Sequence, residues 1–96
     1  MQQVISENIV IRNRRGLHAR ASAKFVQLAE QFPSCTITVQ KDSYSVSALS
    51  IMGLMMLGAS IGSTITVTVE HANPEIAEQA MMQISDLLNN KFGETE

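Results

Sequence analysis

Tryptophan is absent from this 96-residue sequence, which also has only one tyrosine, three phenylalanines and a net charge of −2. So few aromatic rings offer little on which nucleic-acid bases could stack. A slightly acidic chain also lacks the basic face that binding to a phosphate backbone requires. We therefore expect no nucleic-acid partner.

Cysteine is equally scarce in the sequence. The single residue, Cys35, excludes an intramolecular disulfide, which is typical of proteins in a reducing compartment. Two histidines and one cysteine form no recognisable metal-ligand spacing. Neither a metal nor a cofactor is expected.

Long hydrophobic runs are missing as well. Residues 1–7 lack the basic segment and long apolar core of a signal peptide. The longest apolar stretch, 49–59, is interrupted by Ser50, Gly53 and Gly58 and is shorter than the ~20 residues that a membrane helix needs. We predict a cytoplasmic protein that does not insert into a membrane.

The apolar pattern predicts seven elements in the order β-α-β-β-α-β-α. The strands are predicted at 4–11, 35–40, 44–47 and 64–70, and the helices at 19–31, at 51–57 and from Pro74 to about residue 92. Threonines alternate with apolar residues in the strands, which indicates an antiparallel sheet with one solvent-exposed face and helices on the other. The predicted fold is α+β, an open-faced β-sandwich.

The chain length predicts a single domain that spans residues 1–96. Its core is expected to extend over about 4–92. Residues 93–96 are predicted to form a free tail, because they follow the end of the last predicted helix and contain no apolar residue.

The segment from Arg14 to Lys24 brings a histidine to a predicted helix start. His18 lies at or just before the first turn, where helix N–H groups are unpaired and carry a partial positive charge. An anion bound there would find free donors, and Arg20 would add a forked cation. This pattern favours a site at which a phosphoryl group is carried on, or brought to, His18. It is equally typical of an ordinary polar cap, and the local residues leave both interpretations open.

The second predicted helix has more apolar side chains than so short a helix can bury. Leu54 and Leu57 share a face that can point into the core, whereas Ile51, Met52 and Met55 fall on another face. An exposed methionine-rich surface adapts to different partners. We predict a docking patch here, with burial in the core as the alternative interpretation.

Ser50 precedes this helix at the position of an N-cap. The capping role is sufficient to explain the residue, but its hydroxyl is also a candidate for regulatory phosphorylation. A phosphate at this point would place a dianion beside the apolar patch. Such a modification could block a partner without unfolding the domain.

Two motifs at a characteristic separation carry a family resemblance. They are Gly16-Leu17-His18-Ala19-Arg20, which follows a strand, and Ser50-Ile51-Met52-Gly53-Leu54-Met55-Met56-Leu57. Together they resemble the histidine-containing phosphocarrier (HPr) family of the bacterial phosphoenolpyruvate-dependent phosphotransferase system. The resemblance covers about 4–92 and implies a sheet in the order 1-4-2-3 with three helices on one face. Ala21 departs from the pattern, because many members have proline there.

The resemblance also implies a set of functional residues. His18 would accept a phosphoryl group on Nδ1, and Arg20 would bind the phosphate together with the backbone amides of Ala19 and Arg20. Ser50 matches the serine that a dedicated HPr kinase/phosphorylase modifies in some bacteria. The remaining matches form an apolar docking patch: Leu17, Ile51, Met52 and Met55.

The implied partners are enzyme I, which would supply the phosphoryl group, and a IIA component, which would receive it. The protein would be a monomeric carrier, a covalent intermediate rather than an enzyme. The branch it serves, sugar uptake or nitrogen-type regulation, stays open.

Two other functions compete with the carrier. A regulatory binding module controlled at Ser50 would have no need of His18. A small hydrolase acting on a phosphate-bearing substrate would need a water-positioning side chain near His18, and Asn13 is the only such candidate nearby.

Overall fold

The computed structural model describes residues 2–96, and its elements follow the predicted order. They are β1 (Gln3–Val10), α1 (Ala19–Glu30), β2 (Thr36–Lys41), β3 (Tyr44–Ser47), α2 (Ile51–Met56), β4 (Thr64–His71), α3 (Pro74–Asn89) and a short turn (Lys91–Gly93). The last helix ends earlier than predicted, because the chain reverses direction in that turn. No helix within residues 2–96 is long and apolar enough to span a bilayer.

The four strands form one antiparallel sheet in the order β1-β4-β2-β3. One face is apolar and buried, as the pattern predicted, with Ile65, Val67 and Val69 of β4 inaccessible to solvent. The other face is polar, and its side chains pair across strands: Ser6 Oγ lies 2.9 Å from Thr68 Oγ1. The predicted α+β open-faced β-sandwich with strand order 1-4-2-3 and three helices on one face is confirmed.

The helices fill the space above the apolar face of the sheet. Phe25 of α1, Leu54 of α2 and Ile84 of α3 are all fully buried. Each helix begins at a capping residue, because the first N–H groups of a helix need an acceptor from outside it. Asn73 Oδ1 accepts from the Glu75 N–H at 2.9 Å at the start of α3.

The C-terminal segment is not free. The predicted free tail at residues 93–96 is wrong, because the turn Lys91–Gly93 directs the chain back across the start of α1. All three residues of the turn have positive φ (57°, 56° and 79°), a conformation that costs roughly 1–2 kcal/mol for a residue other than glycine. Phe92 offsets that cost by burying its ring, which is only 1% exposed.

Candidate functional site

His18 caps the first turn of α1. Its backbone is extended (φ −76°, ψ −177°), and its ring Nδ1 accepts from the Arg20 backbone N–H at 3.3 Å. The Ser22 N–H donates to the His18 carbonyl at 2.9 Å, which is the first hydrogen bond of the helix. The prediction that His18 lies at or just before the first helical turn is confirmed.

A glycine sets the path of the chain into this cap. Gly16 has φ of +67°, and a Cβ at this position would lie 2.3 Å from the Ala59 carbonyl oxygen. The neighbouring Leu17 N–H donates to that same oxygen at 3.0 Å. The loop before α1 is therefore held against the loop after α2, which brings the two sequence motifs together.

The His18 side chain is only partly accessible to solvent. Only 22% of it is exposed, because Glu94 of the C-terminal segment covers one edge of the ring. Glu94 Oε2 lies 2.5 Å from His18 Nε2, so the pair shares a short hydrogen bond.

Glu94 is itself fixed by a buried asparagine. Asn13 is fully buried, and its Nδ2 donates to Glu94 Oε1 at 3.0 Å and to the Gly16 carbonyl at 2.8 Å. Burial raises the pKa of the Glu94 carboxyl, but hydrogen bonds from Asn13 and His18, together with attraction to His18 and Arg20, outweigh burial and lower this pKa below its ordinary 4.5. Glu94 is therefore ionised near neutral pH.

Three further contacts hold the segment in place. Arg14 uses its backbone N–H to donate to the Glu96 carbonyl at 2.7 Å and its guanidinium to pair with the Glu96 carboxylate at 3.0 Å. Lys24 Nζ donates to the Phe92 carbonyl at 2.6 Å. The Arg14–Glu96 ion pair is largely exposed, so the two backbone acceptors contribute more to anchoring.

The lowered pKa of Glu94 predicts a pH-dependent contribution to stability. A carboxyl whose folded pKa lies below its unfolded value stabilises the fold above the unfolded pKa, and this contribution is lost as the pH falls through the folded pKa. We expect Glu94→Gln to lower the free energy of unfolding at about pH 7, with a gap to wild type that narrows as the pH falls below 4.5 and through the folded pKa of Glu94. Urea denaturation at a series of pH values from neutral to acidic measures this gap. Glu96→Gln is the matched control, and a gap that stays constant with pH would contradict the prediction.

A recess with side chains of both charge signs lies beside Glu94. Arg14, Arg15 and Arg20 line it together with residues 93–96, which include the carboxylates of Glu94 and Glu96. Arg20 lies on the first turn of α1, with its backbone N–H directed at His18 Nδ1, and its role in phosphate binding stays a prediction. Ala19 is the first residue of the helix, and an N–H at that position has no acceptor within the helix.

Ser50 is the N-cap of α2, as predicted, and its Oγ accepts from the Gly53 N–H at 2.9 Å. The helix exposes an apolar surface, which we call the α2 patch. Its residues and their exposed fractions are Ile51 (39%), Met52 (68%), Met55 (41%) and Met56 (80%). Met56 was missed, although its spacing of four from Met52 places both on one face of a helix.

Leu17 does not belong to this surface. It is only 4% exposed and packs in the core, so its predicted place in the docking patch is wrong. Its backbone N–H donates to the Ala59 carbonyl, and its side chain belongs to the buried hydrophobic core.

The second histidine, His71, has a hydroxyl neighbour but is not arranged to activate it. Its Nε2 lies 2.9 Å from Ser34 Oγ, and its Nδ1 accepts from the Asn73 backbone N–H at 2.8 Å. Because Nδ1 is the acceptor, the neutral ring carries its proton on Nε2 and cannot take one from the serine. The pair is a structural contact at the start of α3.

Comparison with known proteins agrees with this geometry. The family model described as PTS HPr component phosphorylation site matches residues 5–90. The chain belongs to the HPr family. It is 45% identical over 93 residues to the phosphocarrier protein HPr of Cupriavidus necator, a match that covers 97% of this chain and 100% of that relative. The HPr of Neisseria meningitidis serogroup A is 44% identical with the same coverage.

The fold agrees with solved HPr structures as well. The crystal structure of HPr-C-His from Thermoanaerobacter tengcongensis superposes with a TM-score of 0.80 at 43% identity, covering 96% of this chain and 99% of that one. The predicted family is confirmed, and with it the prediction of a phosphotransfer intermediate rather than a catalytic enzyme. The hydrolase alternative fails on this ground. Its one candidate for positioning water, Asn13, is moreover buried and bound to Gly16 and Glu94.

Proposed function

We propose that this protein carries a phosphoryl group on His18 Nδ1, which it receives from phosphorylated enzyme I and passes to a IIA component in the cytoplasm. The observation that supports this proposal is the orientation of the ring. Nδ1 accepts from the Arg20 N–H, so this nitrogen has a lone pair, and it faces the N-terminus of α1. Arg14, Arg15 and Arg20 line a recess beside Glu94, the partner of the same ring, together with the carboxylates of Glu94 and Glu96.

The transfer needs no group beyond those already in place. The Arg20 N–H gives up its hydrogen bond to Nδ1, and the lone pair of Nδ1 then attacks the phosphorus carried on a donor histidine. A bond from Nδ1 to phosphorus forms, and the donor nitrogen–phosphorus bond breaks with its electron pair returning to the donor ring. The N–H groups of Ala19 and Arg20 and the Arg20 guanidinium would then bind the phosphoryl oxygens. Positioning and electrostatic stabilisation supply the catalysis.

The direct test is to incubate the purified protein with phosphoenolpyruvate and enzyme I. We expect the mass to increase by one phosphoryl group that is lost in acid and retained in base, as befits a nitrogen–phosphorus bond. No adduct under these conditions, combined with an acid-stable adduct on Ser50 formed from ATP and a kinase, would instead identify a regulatory binding module. Sedimentation during the same experiment tests the expectation of a monomer that acts as one domain.

A second proposal concerns control of docking. Ser50 caps the helix that bears the α2 patch, and a partner that covers this patch must also approach the Ser50 hydroxyl. We propose that enzyme I and the IIA component dock on the α2 patch, and that phosphorylation of Ser50, where an HPr kinase/phosphorylase is present, weakens this docking.

Ser50→Asp tests the proposal through its charge. Aspartate is a good N-cap, so the free energy of unfolding should change by less than about 0.5 kcal/mol. The added negative charge beside the apolar patch should weaken binding to enzyme I by about fivefold or more, measured by calorimetry. Ser50→Ala is the opposite control, since it should cost about 1 kcal/mol of stability and leave binding unchanged. Equal affinities for Ser50→Asp and wild type would remove the regulatory role.

A further inference from the structure

The two nitrogens of the His18 ring have partners of opposite character. Nε2 lies against the Glu94 carboxylate, which only accepts, and Nδ1 lies against the Arg20 backbone N–H, which only donates. Both contacts therefore demand the same neutral tautomer, with the proton on Nε2 and the lone pair on Nδ1. Of the two contacts, the one to Glu94 is the shorter and involves a charged group, so it should dominate the preference.

Glu94 is held where it can impose this tautomer. Its carboxylate is 12% exposed, and its other oxygen accepts from Asn13, so the group cannot turn away without losing two hydrogen bonds. The charged groups that line a recess together with Glu94 are Arg20 from α1, Arg14 and Arg15 from the preceding loop, and Glu96 from the C-terminal segment. Glu94 also lies outside residues 5–90, the part of the chain that the family model matches.

We propose that Glu94 is a positioning residue for the phosphoryl transfer, which keeps the His18 proton on Nε2 and so makes Nδ1 the only nucleophilic nitrogen. This inference rests on the proposed carrier function of His18. It adds a residue to the site that acts through the ring rather than on the phosphoryl group.

The contact also affects the charge that develops on the ring. When Nδ1 bonds to phosphorus, the ring keeps its Nε2 proton and becomes positively charged, and the Glu94 carboxylate stabilises that charge. When the phosphoryl group moves on, the nitrogen–phosphorus bond breaks and the ring is left as neutral imidazole. The proton stays on Nε2 in both directions, so neither step waits for a proton to move.

Chemical phosphorylation, which needs no partner protein, shows which ring nitrogen reacts. Phosphoramidate transfers its phosphoryl group to a histidine nitrogen and releases ammonia, and ³¹P NMR distinguishes the Nδ1 adduct from the Nε2 adduct. We expect wild type to form the Nδ1 adduct on His18. Glu94→Ala frees Nε2, so its share of the Nε2 adduct should rise about tenfold or more, the effect of losing a hydrogen bond to a charged group. Glu96→Ala, which keeps the backbone contact to Arg14, should match wild type.

The tautomer itself is measured by ¹⁵N NMR on the unphosphorylated protein. Wild type should show a protonated Nε2, and Glu94→Ala a mixture of both tautomers. Glu94→Gln covers the case in which Glu94→Ala folds poorly. It keeps the shape of the side chain but must present its NH₂ group to either Asn13 or His18. Its share of the Nε2-protonated tautomer should therefore lie between those of wild type and Glu94→Ala.

Two results would overturn the proposal. One is a protonated Nδ1 in wild type, and the other is a tautomer and an adduct ratio that are the same in Glu94→Ala as in wild type. Faster transfer in Glu94→Ala with an unchanged adduct ratio would also overturn it, since Glu94 would then obstruct the site. Failure of the carrier function looks different, because wild type would show the expected tautomer yet accept nothing from enzyme I.

Discussion

Replacing His18 with alanine is expected to abolish acceptance of a phosphoryl group from enzyme I. The variant has no imidazole nitrogen at the N-terminus of α1. The neighbouring arginines cannot replace it, because a guanidinium group stays protonated at neutral pH and is not a nucleophile. The measurement is mass spectrometry after incubation with phosphoenolpyruvate and enzyme I. Wild type should gain one phosphoryl group, and His18→Ala none.

The control for this variant is the other histidine. His71→Ala removes a ring that lies at the start of α3, bonded to Ser34 and to the Asn73 backbone, and it should accept the phosphoryl group as wild type does. An acid-labile adduct that forms in His18→Ala but not in His71→Ala would show that His71 carries the phosphoryl group, which would contradict the proposal.

His18→Ala should remain folded, although it will lose stability. The variant loses the N-cap contact to the Arg20 N–H and the charge-assisted contact to Glu94. Together these should lower the free energy of unfolding by about 1–3 kcal/mol, against the 5–15 kcal/mol typical of a domain. A variant that folds but accepts no phosphoryl group would therefore show that His18 is needed for the transfer and not for folding.

The architecture was predictable because its signals are local. A proline after Asn73 starts α3, an alternating run of threonine and valine forms β4, and a serine caps α2, and each of these needs only its neighbours in sequence. The position of His18 at the start of α1 has the same origin. Agreement among such local preferences is what allows the pattern of a single sequence to predict a fold.

The contacts of the C-terminal segment were not predictable in this way. Glu94 meets a histidine 76 residues away, and nothing near Glu94 in sequence indicates where Phe92 will bury its ring. A short polar segment at the end of a chain is usually poorly ordered unless tertiary contacts tie it down. Here those contacts come from Asn13, Arg14 and Lys24, whose own neighbours predict only a loop and a helix surface.

The prediction that Leu17 belongs to the docking patch failed for a different reason. The family resemblance placed Leu17 in the docking patch, but adjacent residues in a loop point in different directions once the backbone is fixed. The Ala59 carbonyl holds the Leu17 N–H and turns the leucine into the core while His18 stays at the surface. A docking residue assigned by a matching motif alone is therefore less secure than residues that helical spacing also places on an exposed face, as for Met52 and Met55.

Gly16→Ala is expected to destabilise the protein more than any surface change considered above. An alanine at φ of +67° costs about 1–2 kcal/mol by itself. Its Cβ would also lie 2.3 Å from the Ala59 carbonyl oxygen and 2.8 Å from Ser60 Cα, both backbone atoms that cannot turn aside. We expect the free energy of unfolding to fall by about 3 kcal/mol or more, measured by urea denaturation.

Gly58→Ala separates the two causes. Gly58 has nearly the same φ, +65°, but a Cβ there would have no neighbour within 4 Å, so only the conformational cost should remain. The difference between the two variants measures the close approach of the Gly16 loop to Ala59. Relief of that clash must displace the Gly16 loop from Ala59, and this loop carries Asn13 and leads directly into His18. Gly16→Ala should therefore also slow phosphoryl acceptance in the fraction that remains folded, while Gly58→Ala should not. Equal losses of stability in the two variants would show that the contact with Ala59 does not position the site.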